Sequence, residues 1–105
     1  MIDKMTTERI EKANRCLLRV SNYTGVPVDD IVGSSRRRDI NEARALLAWV
    51  LHSKLGYTTF EAGAIVRRKH ATITHHVQLL NTTLDKDLKR KMADVARMCQ
   101  EGGEA

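Results

Sequence analysis

The stretch Thr58-Thr59-Phe60-Glu61-Ala62-Gly63-Ala64-Ile65-Val66, then Arg67-Arg68-Lys69, then His70-Ala71-Thr72-Ile73-Thr74-His75-His76-Val77-Gln78-Leu79-Leu80, decides the fold. Thr58 followed three residues later by Glu61 is a capping box: the hydroxyl takes the N–H of Glu61 while the Glu61 carboxylate reaches back to that of Thr58. It opens a short helix, Thr58 to Val66, carrying Phe60, Ile65 and Val66. A basic turn, Arg67 to Lys69, leads into a second helix from about Ala71 to Leu80. The buried stripe of that helix is Ile73, Val77 and Leu80, with Thr72, His75 and His76 on its other faces. Two short helices joined by a tight turn are the outline of a helix-turn-helix, spanning Thr58 to Leu80.

Upstream, Ile10, Ala13, Leu17 and Val20 fall at helical spacing within a helix from Thr7 to Tyr23. Gly25 and Pro27 stop it. Asp29 and Asp30 are placed to cap one turn carrying Ile31 and Val32, which ends at Gly33. Ser34-Ser35-Arg36-Arg37-Arg38 reads as an exposed basic loop. Asp39 with Glu42 resembles a capping box and opens a helix with the stripe Ile40, Ala43, Leu47, Val50 and Leu51, with Trp49 closing one side of the core and Gly56 ending the helix. A last helix, about Leu84 to Cys99, faces Leu84, Leu88, Val95 and Met98 or Cys99 inward. The expected organisation is one all-α, compact multi-helix domain over residues 1–101, with a disordered tail at 102–105.

The 105 residues carry 18 Lys+Arg against 13 Asp+Glu, a net charge of +5 that attracts polyanions. The charge is clustered at Arg36–Arg38 and at Arg67–Lys69, with His70 beside the second run. Cys16 and Cys99 sit on apolar helix faces as small core residues, too few for a disulfide framework. No signal core and no membrane-length apolar run is present, so a reduced, cytoplasmic location is expected. His70, His75 and His76 lack the i, i+4 pairing of a helical metal site, and no metal or other cofactor is expected. His52 reads as a surface residue. No nucleophile elbow or metal signature marks an enzyme, and no phosphate loop marks a nucleotide site.

From Val20 to Leu80 the chain resembles the C-terminal DNA-binding domain, a TrpR-like helix-turn-helix, of the bacterial replication initiator DnaA. The family's Val-x-x-Tyr opening reads Val20-Ser21-Asn22-Tyr23, and its extended segment reads Val26-Pro27-Val28-Asp29-Asp30-Ile31-Val32. The basic loop and long helix follow as Ser34–Arg38 and Ile40 through Lys54. The family's Leu-Pro-Glu-Ile-Gly reads Thr59-Phe60-Glu61-Ala62-Gly63, and its Gly-Gly-Arg-Asp-His-Thr-Thr-Val-x-His signature reads Arg67-Arg68-Lys69-His70-Ala71-Thr72-Ile73-Thr74-His75. The resemblance implies a minor-groove role for Arg36, with Arg37 and Arg38 as neighbours, and a phosphate contact for Arg44. It also implies that His70 and Thr72 face the major groove, with His75 near the backbone. Thr59, Arg67, Arg68 and Lys69 complete the expected DNA-binding set, and a bacterial, bacteriophage or mobile-element origin is implied.

Three departures stand out. Lys69 replaces the family's Asp, Ala71 replaces a Thr, and the turn is one residue shorter and without glycines. An Asp accepts from a cytosine amine whereas Lys donates to guanine O6 or N7, so the family's usual box preference is not carried over. The leading expectation is a sequence-preferring duplex-DNA-binding module in replication initiation or its regulation, or in transcriptional control. Its partners are double-stranded DNA and a replication or regulatory protein, with no membrane. The alternative is a protein-interaction module that keeps the fold and has lost base readout. RNA binding fits less well, since no aromatic stacking platform is present.

Overall fold

Thr6 and Gly25 bracket the first helix of the computed structural model, which describes residues 5–101. The expected tail at 102–105 lies outside the described residues. In α1 (Thr7–Thr24) the Thr6 hydroxyl accepts from Arg9 N–H at 3.1 Å, and Gly25 ends the helix at φ 78°, a left-handed conformation that glycine adopts without penalty. Its inward stripe is Ala13, Cys16, Leu17 and Val20; Ile10 sits a turn further out and stays partly exposed. The turn α2 (Val28–Ile31) starts from Pro27 with no side-chain cap, so Asp29 and Asp30 lie inside its first turn and do not cap it. Ile31 is completely buried.

The central element is α3 (Arg38–Trp49), where every residue from Ala43 to Trp49 is buried. A helix buried all round is the one the others pack against. Its start corrects the capping-box expectation at Asp39. The N-cap is Arg37, no side chain caps it, and Asp39 is already within the first turn. Asp39 pairs back with Arg37 at 3.0 Å, while Glu42 leaves the helix to meet Lys91 at 2.8 Å. A carboxylate in the first turn still suits the helix dipole. Beyond Trp49 the helix widens into a π-helical turn, Val50–Lys54, in which Leu55 N–H reaches the Val50 carbonyl at 3.0 Å.

The helix-turn-helix is α4 (Thr59–Val66) and α5 (His70–Asn81). Both halves of the capping box form: Glu61 N–H donates to Thr58 Oγ1 at 3.0 Å, and Thr58 N–H donates to Glu61 Oε1 at 2.9 Å. The same oxygen accepts from Arg9 at 2.8 Å, tying the start of α1 to that of α4. These donors hold the Glu61 carboxyl below its ordinary range. Tyr57, buried, donates its hydroxyl to the Arg9 carbonyl at 2.8 Å, with the Arg9 guanidinium over its ring. Trp49 fastens α3 to the end of α5 by donating to Asn81 Oδ1 at 2.9 Å.

The last helix is α6 (Lys86–Glu101), held by Val95, Ala96 and Cys99 in the core. Leu84, expected to face inward, is 87% exposed. The cause is the cap. Asp85 Oδ1 accepts from the N–H groups of Asp87 and Leu88 at 2.9 and 3.2 Å, so the helix begins after Leu84 and leaves it outside. Tyr23 donates to Asp94 at 2.7 Å, and the Cys16 and Cys99 thiols meet at 2.8 Å in the core between α1 and α6. The neighbouring Cys99 and burial together push the Cys16 thiol up.

The helix-turn-helix angle depends on Gly63. A Cβ there would lie 2.4 Å from the Arg68 carbonyl oxygen and 3.6 Å from Ile73. Backbone cannot yield as a flexible side chain does, so Gly63→Ala is expected to destabilise the protein by about 1–3 kcal/mol, as overpacking does. A lowered urea midpoint with an unchanged denaturant slope is the measurement that checks it.

Candidate nucleic-acid interface

Arg36 and Arg37, between α2 and α3, and Arg38, the first residue of α3, are all exposed. Arg37 is paired with Asp39, whereas Arg36 and Arg38 have no ion-pair partner among the described residues. Across from this loop is the entry of α5. Lys69 is its N-cap residue and is exposed, with no side-chain cap bond. An ammonium has no acceptor to offer the free N–H groups of a helix start, so the Lys69 side chain remains available. His70 begins α5 one residue earlier than expected, and is exposed with its ring stacked on Phe60.

The loop and the helix are brought together by a cleft of about 400 Å³ lined by Arg36, Asn41, Arg44, Arg68, Thr72, His75 and His76. A second recess of about 560 Å³ lies at the turn, where Phe60, Gly63, Ala64 and Ala71 form an apolar floor bordered by Arg67, Arg68, Lys69 and His70. Of the expected site residues, Arg36, Arg44, Arg67, Arg68, Lys69, His70, Thr72 and His75 line these two adjoining hollows, and Arg37 and Arg38 stand outside both. Thr59, half-buried at the start of α4, lines neither.

Arg44 and Arg68 have roles the sequence did not reveal. Arg44 is 2% exposed. Its Nε donates to the Ile31 carbonyl at 2.7 Å, and its Nη2 to the Asp30 and Gly33 carbonyls at 3.0 and 3.3 Å. Nη1 reaches Asn41 Oδ1 at 3.3 Å. Arg44 thus spends three of these bonds on the turn that launches the basic loop and a fourth on Asn41. Burial, then nearby Arg68, lowers its pKa from the ordinary arginine value. Half-buried Arg68 donates to the Gly33 carbonyl at 2.6 Å and to the Arg67 carbonyl at 2.9 Å, so it braces the loop against the turn.

Arg67 remains exposed and holds the one non-glycine positive φ among the described residues, 64°. It takes the left-handed position that ends α4, normally a glycine position, and Arg68 N–H then closes on the Gly63 carbonyl at 2.9 Å. His75 is exposed on the cleft wall. His52 is half-buried, its Nδ1 2.7 Å from the Tyr57 carbonyl, which makes it part of the fold near the start of α4.

Sequence reasoning missed three residues. Asn41 shares the cleft and orients Arg44. His76, placed on an outer face by its polarity, is buried on the cleft floor. Phe60, one of the apolar residues that α4 carries with Ile65 and Val66, is 45% exposed. Helical spacing carried a signal for His76, which lies three residues after Ile73 on the inward side. Among the described residues no group of three or more His, Cys, Asp or Glu is placed to hold a metal, and no helix is long and apolar enough to cross a membrane.

Two outcomes follow from these placements. Arg44→Met keeps the volume but strands the carbonyls, and is expected to destabilise the protein by about 1.5–3 kcal/mol, the value of a charged hydrogen bond. Arg44→Lys should not rescue it, since one ammonium cannot reproduce the fork. If Arg44 served only DNA, urea midpoints would not move.

For His76, burial and then the charges of His75, Arg44 and Arg68 lower the imidazole pKa below the ordinary 6.5. The unfolded chain therefore takes up the proton first, and stability falls as pH drops below about 6.5 while staying level above it. Urea midpoints at pH 7.5, 6.5 and 5.5 should show this slope in the wild type and a shallower one in His76→Gln.

Comparison with known proteins agrees with this architecture. The family described as the bacterial dnaA protein helix-turn-helix matches residues 14–79, from within α1 through nearly all of α5. The chromosomal replication initiator protein DnaA of Kosmotoga olearia is 23% identical over 94 residues, covering 87% of this chain and 21% of that protein. The chain thus spans about a fifth of the length of this relative. No solved structure matches. With its matched span running from the first helix through the helix-turn-helix and its basic loop, the chain belongs to the bacterial dnaA protein helix-turn-helix family.

Proposed function

We propose that this chain is a sequence-preferring duplex-DNA-binding module acting in replication initiation or its regulation. Family membership supports the duplex, and the name of the Kosmotoga relative supports the replication setting. The observation that carries the reading is the cationic cleft joining the loop at Arg36 to α5 at Thr72 and His75. A major groove admits an α-helix, and a helix-turn-helix presents the N-terminal residues of its second helix to base edges. On this reading Lys69, His70 and Thr72 face the bases, with Lys69 donating to guanine. Arg36 enters the adjacent minor groove with Arg37 and Arg38 beside it. Arg67, His75 and Thr59 serve the phosphates, while Arg44 and Arg68 hold the loop in place. Nothing in this assignment requires a cofactor or nucleotide.

Titration against random and selected duplexes at several salt concentrations tests it. Roughly three to six phosphate contacts give a log–log salt slope of about −3 to −5, near 0.9 per contact. Lys69→Ala should relax preference at one base pair by about 1–3 kcal/mol of discrimination, and Lys69→Asp should move that preference toward cytosine. If Lys69 touches only phosphate, its loss lowers affinity for every sequence and shrinks the slope by about one. A flat salt response, or no duplex binding at low salt, would instead assign this surface to a protein partner.

A further inference from the structure

Phe60, the second residue of α4, and His70, the first of α5, stack face to face across the turn. Their ring centroids are 4.1 Å apart and their planes 28° from parallel. Both rings are on the surface. Phe60 stands outside the buried core, to which α4 contributes Ala62 and Val66, with Ile65 partly buried against it. A large aromatic left 45% exposed at the mouth of the basic turn is therefore not explained by core packing.

His70 has no other side-chain partner among the described residues. Its backbone carbonyl accepts from Thr74 Oγ1 at 3.1 Å, but its ring nitrogens make no hydrogen bond to any described residue. An exposed imidazole without a partner samples several rotamers, and a ring that must present one nitrogen to a base edge loses discrimination with each alternative. Offset stacking removes that freedom through the ring faces and leaves the nitrogens on the edge open to a ligand.

We propose that Phe60 is a positioning residue, which fixes the plane of the His70 imidazole so that one ring nitrogen meets a single base edge. The inference rests on the duplex-DNA reading above and adds a residue that acts through another. The sequence alone offers no such role, since Phe60 stands where the related family has a proline, which cannot stack in this way.

The test has an arm without DNA and an arm with it. In the free protein the His70 ring protons should show an upfield ring-current shift in NMR spectra, retained in Phe60→Tyr and lost in Phe60→Leu. Leucine keeps an apolar side chain at this surface position, so both variants are expected to fold with urea midpoints near that of the wild type.

With duplexes selected from a random pool, Phe60→Leu should lose roughly two- to tenfold in preference at one base pair, the weight of an aromatic pair. That base pair should be the one relaxed by His70→Ala, and the double variant should be no worse than His70→Ala alone. The salt slope should not change. An effect at a different base pair, an effect additive with His70→Ala, or a uniform loss across sequences would overturn the positioning role. A wild-type protein that binds no duplex overturns the functional reading itself. One that binds while Phe60→Leu retains full discrimination overturns only this inference.

Discussion

The carbonyl oxygen of Gly33 accepts from two guanidiniums at once, Arg68 at 2.6 Å and Arg44 at 3.3 Å. Arg44 comes from the buried central helix and Arg68 from the turn of the helix-turn-helix, while Gly33 begins the basic loop. The three parts of the proposed interface are thus fixed relative to one another by a single acceptor. Putting two cations close together is unfavourable, and taking Arg44 out of water adds to the cost. The geometry persists because Arg44 satisfies its fork on the Ile31, Asp30 and Gly33 carbonyls, which lie at and just past the end of a one-turn helix. Gly33 also approaches the Asp29 carbonyl so closely that a Cβ would lie 2.6 Å from it.

This arrangement divides the cations into two populations. Arg44 and Arg68 spend donors on backbone, and Arg37 and Arg9 pair with carboxylates. Arg36, Arg38, Arg67 and Lys69 remain exposed without an ion pair among the described residues. The net charge of +5 therefore does not say which residues meet a phosphate. Long-range attraction depends on the sum of charges, whereas contact depends on donors still free at the surface.

That division explains how far the sequence was legible. Local signals were read well where the chemistry is local: the Thr58–Glu61 box, the glycine stop at Gly25, and the Ile73–Val77–Leu80 stripe all depend on neighbours a few residues away. The Asp39–Glu42 pattern has the same local form and failed, because Glu42 is claimed by Lys91 49 positions further on. Leu84 failed through a rival cap at Asp85. The burial of Arg44 and His76 escapes the sequence for a different reason. A charged or polar residue at an inward helical position is read as a surface residue unless its partners are known, and those partners come from other segments of the chain. The candidate site was consequently legible as a set of positions, but not as a division between residues that reach outward and residues that hold them.

The turn shows how a family pattern is kept by different means. A left-handed residue is needed where α4 ends, and Arg67 supplies it at φ 64°. A side chain in that conformation costs more than glycine does, of the order of 1 kcal/mol. In exchange, a cation sits at the rim of the recess that leads to α5. Lys69 repeats the trade at the next boundary: a residue that cannot cap replaces one that can, and the helix start gives up a cap for a free donor. Both substitutions weaken local structure and strengthen positive potential at the same end of the same helix. The fold tolerates them because α5 is held from elsewhere, through Ile73, Val77 and Leu80 in the core and through the Trp49–Asn81 bond at its far end. A recognition helix anchored along its body can leave its first turn open for a ligand.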